Sequence, residues 1–326
     1  MECLILPAVA SRDFCRRLIE ASESGKLPLF GQWELTYRCN LHCVHCYTDV
    51  YNHPRYFPRE LETEEILRIL DELQQEGCLW LCLTGGEIFM RKDFFQIYKA
   101  AKEKGFLLTL FTNGSLITEE VADFLKENPP HSVEISLHAT TSEIFEEVTQ
   151  GEGSFKKVLQ AIELLLERNL HLVLKVTGLT VNREEILKIR TFVNRFGNVP
   201  FKFGEEIRER LDGSEDVFKY QLSERELKEI EKNDPAMLKE REIRSQEPEI
   251  PQCESGFLTF HIDAWGQLQL CSGNRMKGYD LRRGSFHDGF YNHLPHFPCR
   301  LPKKEFLFKK EGFIPIEAVS SLRERD

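Results

Sequence analysis

No stretch of the 326-residue chain approaches the roughly 18 consecutive apolar residues that a membrane-spanning helix requires, which argues against a transmembrane role. A secretion signal is lacking as well. Met1 to Ala10 is apolar but carries Glu2, the next segment is charged, and no positive start or cleavage site is recognisable, so a cytoplasmic location is expected. Long basic runs are missing, and 43 Lys and Arg face 53 Asp and Glu for a net charge of −10. Duplex nucleic acid, whose phosphates call for clustered Lys and Arg, is therefore not an expected partner. Cysteine, by contrast, is plentiful: ten residues in a chain expected to meet a reducing compartment, where clustered thiols point to metal rather than to disulfides.

With 41% hydrophobic residues the chain can bury a full core, and its length suits one large domain and a smaller one. Between Gly31 and Phe203, short apolar runs alternate with amphipathic helical stretches, as repeated βα units do around a parallel sheet. Strands are expected at Gln32 to Tyr37, Leu79 to Thr84, Leu107 to Thr112, Ser132 to Leu137, Leu172 to Thr177 and Val199 to Phe203. Helices are expected at Thr63 to Glu76, Asp93 to Lys104, Thr118 to Asn128, with Thr118 as N-cap, Phe155 to Arg168 and Glu184 to Phe196. The fold class expected is α/β, a partial (β/α)6 TIM-like barrel. Ligands in such sheets sit beyond the C-terminal strand ends, which selects the loops "RCNLHCVHCY", "GGEI", "NGS", "HAT" and "GLTVN". Residues 1–30 read as an N-terminal extension, 31–206 as the barrel, 207–250 as a charged helical connector and 251–326 as a small module with a β-hairpin around Asp263 to Gly266.

Cys39, Cys43 and Cys46 are spaced C-x3-C-x2-C on the loop after the first strand. A zinc ion would take a fourth ligand from His42, His45 or Asp49, whereas three thiolates on one short loop can equally hold three irons of a cubane. In its barrel context the motif, with the aromatic Tyr47 after its last cysteine, resembles that of the radical S-adenosylmethionine (radical SAM) superfamily over roughly Gly31 to Phe203. The resemblance implies a 4Fe-4S cluster on Cys39, Cys43 and Cys46, with an open iron chelated by S-adenosylmethionine (SAM).

"TGGEI", Thr84 to Ile88, is similar to the Gly-Gly-Glu-Pro stretch that lines the methionine moiety of SAM in this family, with Ile88 in place of the usual proline. Gly85 and Gly86 would let backbone carbonyls approach the ligand ammonium, and Glu87 would add a charge or pack nearby. By the same resemblance Thr112, Asn113, Ser136, His138 and Lys175 are candidate SAM contacts. Cys78 and Cys82 read as packing residues, and Cys3 and Cys15 have no partner spacing.

Cys253, Gly266 and Cys271, C-x12-G-x4-C with the glycine in the hairpin turn, resemble the start of a SPASM or shorter twitch extension, in which a hairpin holds an auxiliary iron-sulfur cluster. Only Cys299 follows, so the resemblance implies a twitch-like auxiliary cluster on Cys253, Cys271 and Cys299. His261 and Asp263 are explained by strand alternation and the turn. The expected function is reductive cleavage of SAM to a 5'-deoxyadenosyl radical for hydrogen abstraction, fed by a flavodoxin or ferredoxin, in a maturase that crosslinks a ribosomally made peptide. Small-molecule cofactor biosynthesis and a non-catalytic iron-sulfur or zinc-binding role are the alternatives. Only about 30 residues precede the barrel, too few for a folded leader-recognition domain.

Overall fold

A computed structural model describes residues 25–234, 238–239 and 255–299. Six parallel strands run in sequence order: β1 (Phe30–Thr36), β2 (Trp80–Gly85), β3 (Leu107–Thr112), β4 (Ser132–Ser136), β5 (Leu172–Thr177) and β6 (Phe201–Gly204). Alternation on each strand divides its side chains between helices and barrel interior. Leu81 and Leu83, Leu108 and Leu110, and Val133 and Ile135 are completely buried on the helix side.

The intervening helices are α1 (Thr63–Gln75), α2 (Phe94–Glu103), α3 (Glu119–Glu127), α4 (Ser142–Thr149), α5 (Ser154–Glu167) and α6 (Ile186–Val193). In α1, Ile66, Ile69, Leu70 and Leu73 recur at helical spacing and are fully buried against the sheet, each stabilising by roughly 2 kcal/mol. A capping box between Glu62 and Glu65 satisfies its first turn. The expected Thr118 cap is present: its hydroxyl accepts from the Val121 N–H. Two helices, not one, join β4 to β5, because α4 precedes the α5 that the sequence suggests.

The expected helical connector is helical over α7 (Glu224–Asn233), whereas 208–222 folds back over the loop that follows β1. Arg210 Nη1 donates to the Cys46 carbonyl (2.9 Å), and the Leu211 N–H donates to the Tyr47 carbonyl (2.9 Å). Gly213 and the Asp212–Ser214 side-chain turn interrupt the chain here, and a single 3-10 turn follows at Asp216–Tyr220.

The expected hairpin forms from β7 (Thr259–Ile262) and β8 (Gln267–Gln269), with β9 (Tyr279–Asp280) beside it. It extends the barrel's own sheet. β7 pairs in parallel with β1, Trp33 opposite Ile262, giving one nine-stranded sheet in the order β6-β5-β4-β3-β2-β1-β7-β8-β9. Among the described residues no helix is long and apolar enough to cross a membrane.

Candidate active site

The loop after β1 carries Cys39, Cys43 and Cys46, which line one cavity of about 400 Å³ at the C-terminal ends of the strands. Side-chain amides hold its first cysteine. Asn52 accepts from the Cys39 N–H and donates to its carbonyl, both at 3.0 Å, while Asn113 Nδ2 lies 3.7 Å from the Cys39 sulfur. The Cys46 N–H closes a turn onto the Cys43 carbonyl (2.9 Å), so the last two thiols leave a single turn.

Burial pushes the Cys39 thiol up to about 12, with the Glu87 charge adding to the effect, and it pushes Cys43 and Cys46 upward too. Three such thiols facing one cavity become thiolates readily only against a cationic group. Among the described residues no three His, Cys, Asp or Glu side chains converge on one metal-sized point. Of the candidate fourth zinc ligands, His42 and Asp49 bond each other (2.9 Å) and His45 packs edge-on against His138 (5.0 Å). Thiols that share a cavity without converging fit a cubane, in which each cysteine takes a different iron.

The "GGE" stretch seals the base of this loop. Gly86 N donates to the Thr36 carbonyl and Glu87 N to the Arg38 carbonyl, both at 2.8 Å, so backbone bonding between the two segments continues past the strand ends as far as Arg38, the residue before Cys39. No side chain fits there. A Cβ on Gly85, whose φ is +135°, would meet the Thr36 oxygen at 2.2 Å, and one on Gly86 would meet the Arg38 oxygen at 2.3 Å. Ile88, in the position of the family's proline, is fully buried and begins the turn Ile88–Met90.

Tyr47, Gly85, Gly86, Thr112, Asn113, Ser136 and His138 all line the cavity with the three cysteines. Two expected contacts do not. Glu87 is completely buried beneath the cavity, where its carboxylate accepts from Thr112 Oγ1 and the Asn113 N–H, all at 2.8 Å, and from the Phe89 N–H at 3.2 Å. It is a post under the Thr112–Asn113 wall, and burial raises its carboxyl to about 7 against those hydrogen bonds. Lys175 is drawn across the sheet instead: its ammonium pairs with Glu134 (3.2 Å) and sits 3.5 Å from the centre of the Phe111 ring. Burial lowers His45 to about 4 and holds His138 well below its ordinary value, so both cavity imidazoles are neutral near pH 7.

Glu34, which sequence reading missed, is fully buried on β1. Its burial would raise the carboxyl, but the charge and hydrogen bonds of Arg275 outweigh that and hold it well below the usual range. Arg275 grips both of its oxygens (2.7 and 2.5 Å), and Tyr47 donates its hydroxyl to Glu34 Oε1 (2.9 Å).

Of the expected auxiliary ligands, Cys253 lies outside the described residues. Cys271 and Cys299 are half-buried free thiols. Their segments meet: the Asn274 N–H donates to the Cys271 carbonyl (3.2 Å) and Asn274 Nδ2 to the carbonyl of Pro298 (2.8 Å). Cys78 is buried in the core just before β2, whereas Cys82, half-buried on β2, lines a second cavity with Gln32, Phe111 and Cys271.

The family model of the radical SAM superfamily matches residues 33–193. Mycofactocin maturase MftC of Mycolicibacterium smegmatis is 37% identical over 150 residues, 46% of this chain and 37% of the relative. The AdoMet-dependent heme synthase of Methanosarcina barkeri is 31% identical over 175 residues, 53% of this chain and 49% of the relative. The matched stretches thus span half or less of these curated relatives. Streptococcus suis SuiB bound to precursor peptide SuiA superposes with a TM-score of 0.65 at 15% identity, covering 90% of this chain and 72% of that one. The fold is shared.

Proposed function

Through residues 33–193 the chain belongs to the radical SAM superfamily, and from that premise we propose that it is an enzyme that reductively cleaves SAM and matures a ribosomally made peptide. The observation that carries this reading is the single cavity onto which Cys39, Cys43, Cys46, Gly85, Gly86, Thr112, Asn113, Ser136 and His138 all open. Bound there, a 4Fe-4S cluster and SAM would supply one-electron reductive cleavage of SAM and hydrogen-atom abstraction from an unactivated C–H bond.

This chain's residues do the rest. Cys39, Cys43 and Cys46 would hold the cluster, with Asn52 and Asn113 fixing the first of them. Gly85 and Gly86 would offer close backbone to SAM, and Ser136 and neutral His138, which line the same cavity, would offer it hydrogen bonds. Phe111 and Phe145, also on the cavity, would present apolar surface to the substrate. Cys253, Cys271 and Cys299 in residues 251–326 would hold an auxiliary cluster able to take an electron back from the product, giving a net oxidative crosslink. A flavodoxin or ferredoxin in the cytoplasm would supply the first electron.

The maturase reading is supported by the likeness to a named peptide maturase and by a fold shared with a protein solved on a precursor peptide. A small-molecule substrate is the second reading, because the heme synthase matches a longer stretch of the chain. Anaerobic reconstitution followed by iron and sulfide analysis tests the cofactor set. About eight irons in the wild type, falling to about four in a Cys39, Cys43, Cys46 triple alanine variant, are expected of two cubanes. One metal per chain without sulfide would return the site to zinc, and a candidate peptide left unmodified while SAM is cleaved would favour the small molecule.

A further inference from the structure

A continuous run of hydrogen bonds joins the two cysteine-bearing segments through the interior. Tyr47 immediately follows Cys46, and its hydroxyl donates to Glu34 Oε1 (2.9 Å). Arg275 Nη2 donates to the same oxygen (2.5 Å) and Nη1 to Glu34 Oε2 (2.7 Å). The third nitrogen of that guanidinium, Nε, donates to the carbonyl of Ser272 (2.9 Å), the residue after Cys271.

Each member is committed on several sides. Glu34 is 0% exposed and the Arg275 side chain 12%. The guanidinium also lies 5.2 Å from the centre of the Tyr47 ring, Tyr37 Oη accepts from its Nη1 (3.3 Å), and His261 Nε2 is 3.7 Å from Glu34. Glu34 and Arg275 are 241 residues apart, on the first strand and beyond β8. Arginine suits this place: a lysine could not span a bidentate carboxylate and a carbonyl with one rigid fork.

We propose that Arg275 is a positioning residue that couples the two cysteine segments, holding the Cys46 end of the first loop through Glu34 and Tyr47 and the Cys271 turn through Ser272. The proposal rests on the cluster assigned above to Cys39, Cys43 and Cys46. Hydrogen bonds and charges behind a ligand set its orientation and the potential of what it binds. The chain from Arg275 to Tyr47 is therefore expected to tune that cluster, beyond tying two parts of the fold together.

The test uses the full chain, reconstituted anaerobically, with the midpoint potential and the electron paramagnetic resonance spectrum of the first cluster as readouts. Both are recorded in a Cys271→Ala background so that only the first cluster contributes. Tyr47→Phe removes one hydroxyl and cuts the link on the Cys46 side while leaving the ion pair intact. The double variant Glu34→Leu with Arg275→Met removes the pair without stranding a buried charge. Both are expected to bind iron at the background level, shift the potential outside the scatter of replicate titrations and alter the spectrum. Combining them should add nothing, because they sever the same chain. Unchanged potential and spectrum in folded variants would overturn the proposal, as would strictly additive shifts. If the double variant fails to fold, Tyr47→Phe alone decides by the same criteria. A parent chain that takes up no iron would remove the functional reading and this proposal together, whereas a cluster indifferent to the variants would remove the proposal alone.

Discussion

Replacing Glu87 with glutamine tests whether the carboxylate beneath the cavity is held against its own burial. Three donors, Thr112 Oγ1 and the backbone N–H groups of Asn113 and Phe89, favour the ionised form, yet burial prevails and the carboxyl is raised from 4.5 to about 7. The sign follows from proton counting. Between those two values the folded chain holds a proton that the unfolded chain has released, so stability falls as pH rises through the interval and levels off above the upper value. At about 1.36 kcal/mol per unit, the full interval amounts to about 3 kcal/mol, of which about 2 kcal/mol falls between pH 5.5 and 7. Unfolding entropy near 2.1 cal/mol/K per residue turns that into a change of about 3 °C in Tm for a chain of this length. Thermal unfolding of wild type and Glu87→Gln at pH steps from about 5.5 to 8 isolates the contribution, since glutamine has no proton to lose. The variant should gain on the wild type up to about pH 7 and keep a constant lead above it. A gap that stays flat across the range would mean the carboxyl ionises in its ordinary range and the hydrogen bonds, not burial, set its state.

Gly86→Ala should push the loop base away from β1, because the new Cβ meets the Arg38 oxygen at 2.3 Å; a loss of about 1–3 kcal/mol, seen as a lower Tm together with reduced iron retention, is expected. Normal iron content at wild-type Tm would show that the loop can yield there. Cys271→Ala should leave uncoupled SAM cleavage intact while abolishing product, read by chromatography of 5'-deoxyadenosine against modified peptide. Equal loss of both would assign Cys271 a structural part.

Strands β2 to β5 are legible in the sequence because each is a short run carrying Leu, Val or Ile between polar or glycine residues, β1 and β6 because aromatic or Leu residues alternate with polar or glycine ones, and the cavity residues are legible because such sheets collect chemistry at one rim. What escapes is whatever depends on long-range partners. Glu34 in "QWELTY" reads as an ordinary polar position of an alternating strand, and only Arg275, far along the chain, makes it a buried ion. Lys175 is misread for the same reason, since Glu134 on the adjacent β4 and Phe111 on β3 claim its ammonium. Glu87 has the right identity but faces inward, because the turn at Ile88 buries what a looser loop would have left in the cavity. Helix α4 escapes because only Phe145, Val148 and Thr149 of its eight residues are buried, too few for a helical stripe to stand out beside "TQGEG".

The parallel pairing of β7 with β1 has a consequence for how the chain acquires its shape. The β1 edge that receives Thr259–Ile262 emerges about 230 residues earlier, which at about 5–20 residues per second is roughly 10 to 45 s of synthesis. For that interval one flank of the barrel offers unpaired backbone groups, and Glu34 waits without its guanidinium. The loop bearing Cys46 thus gains its final tether only when the far end of the sheet arrives, which makes assembly of the first cysteine site a late event in the birth of the protein.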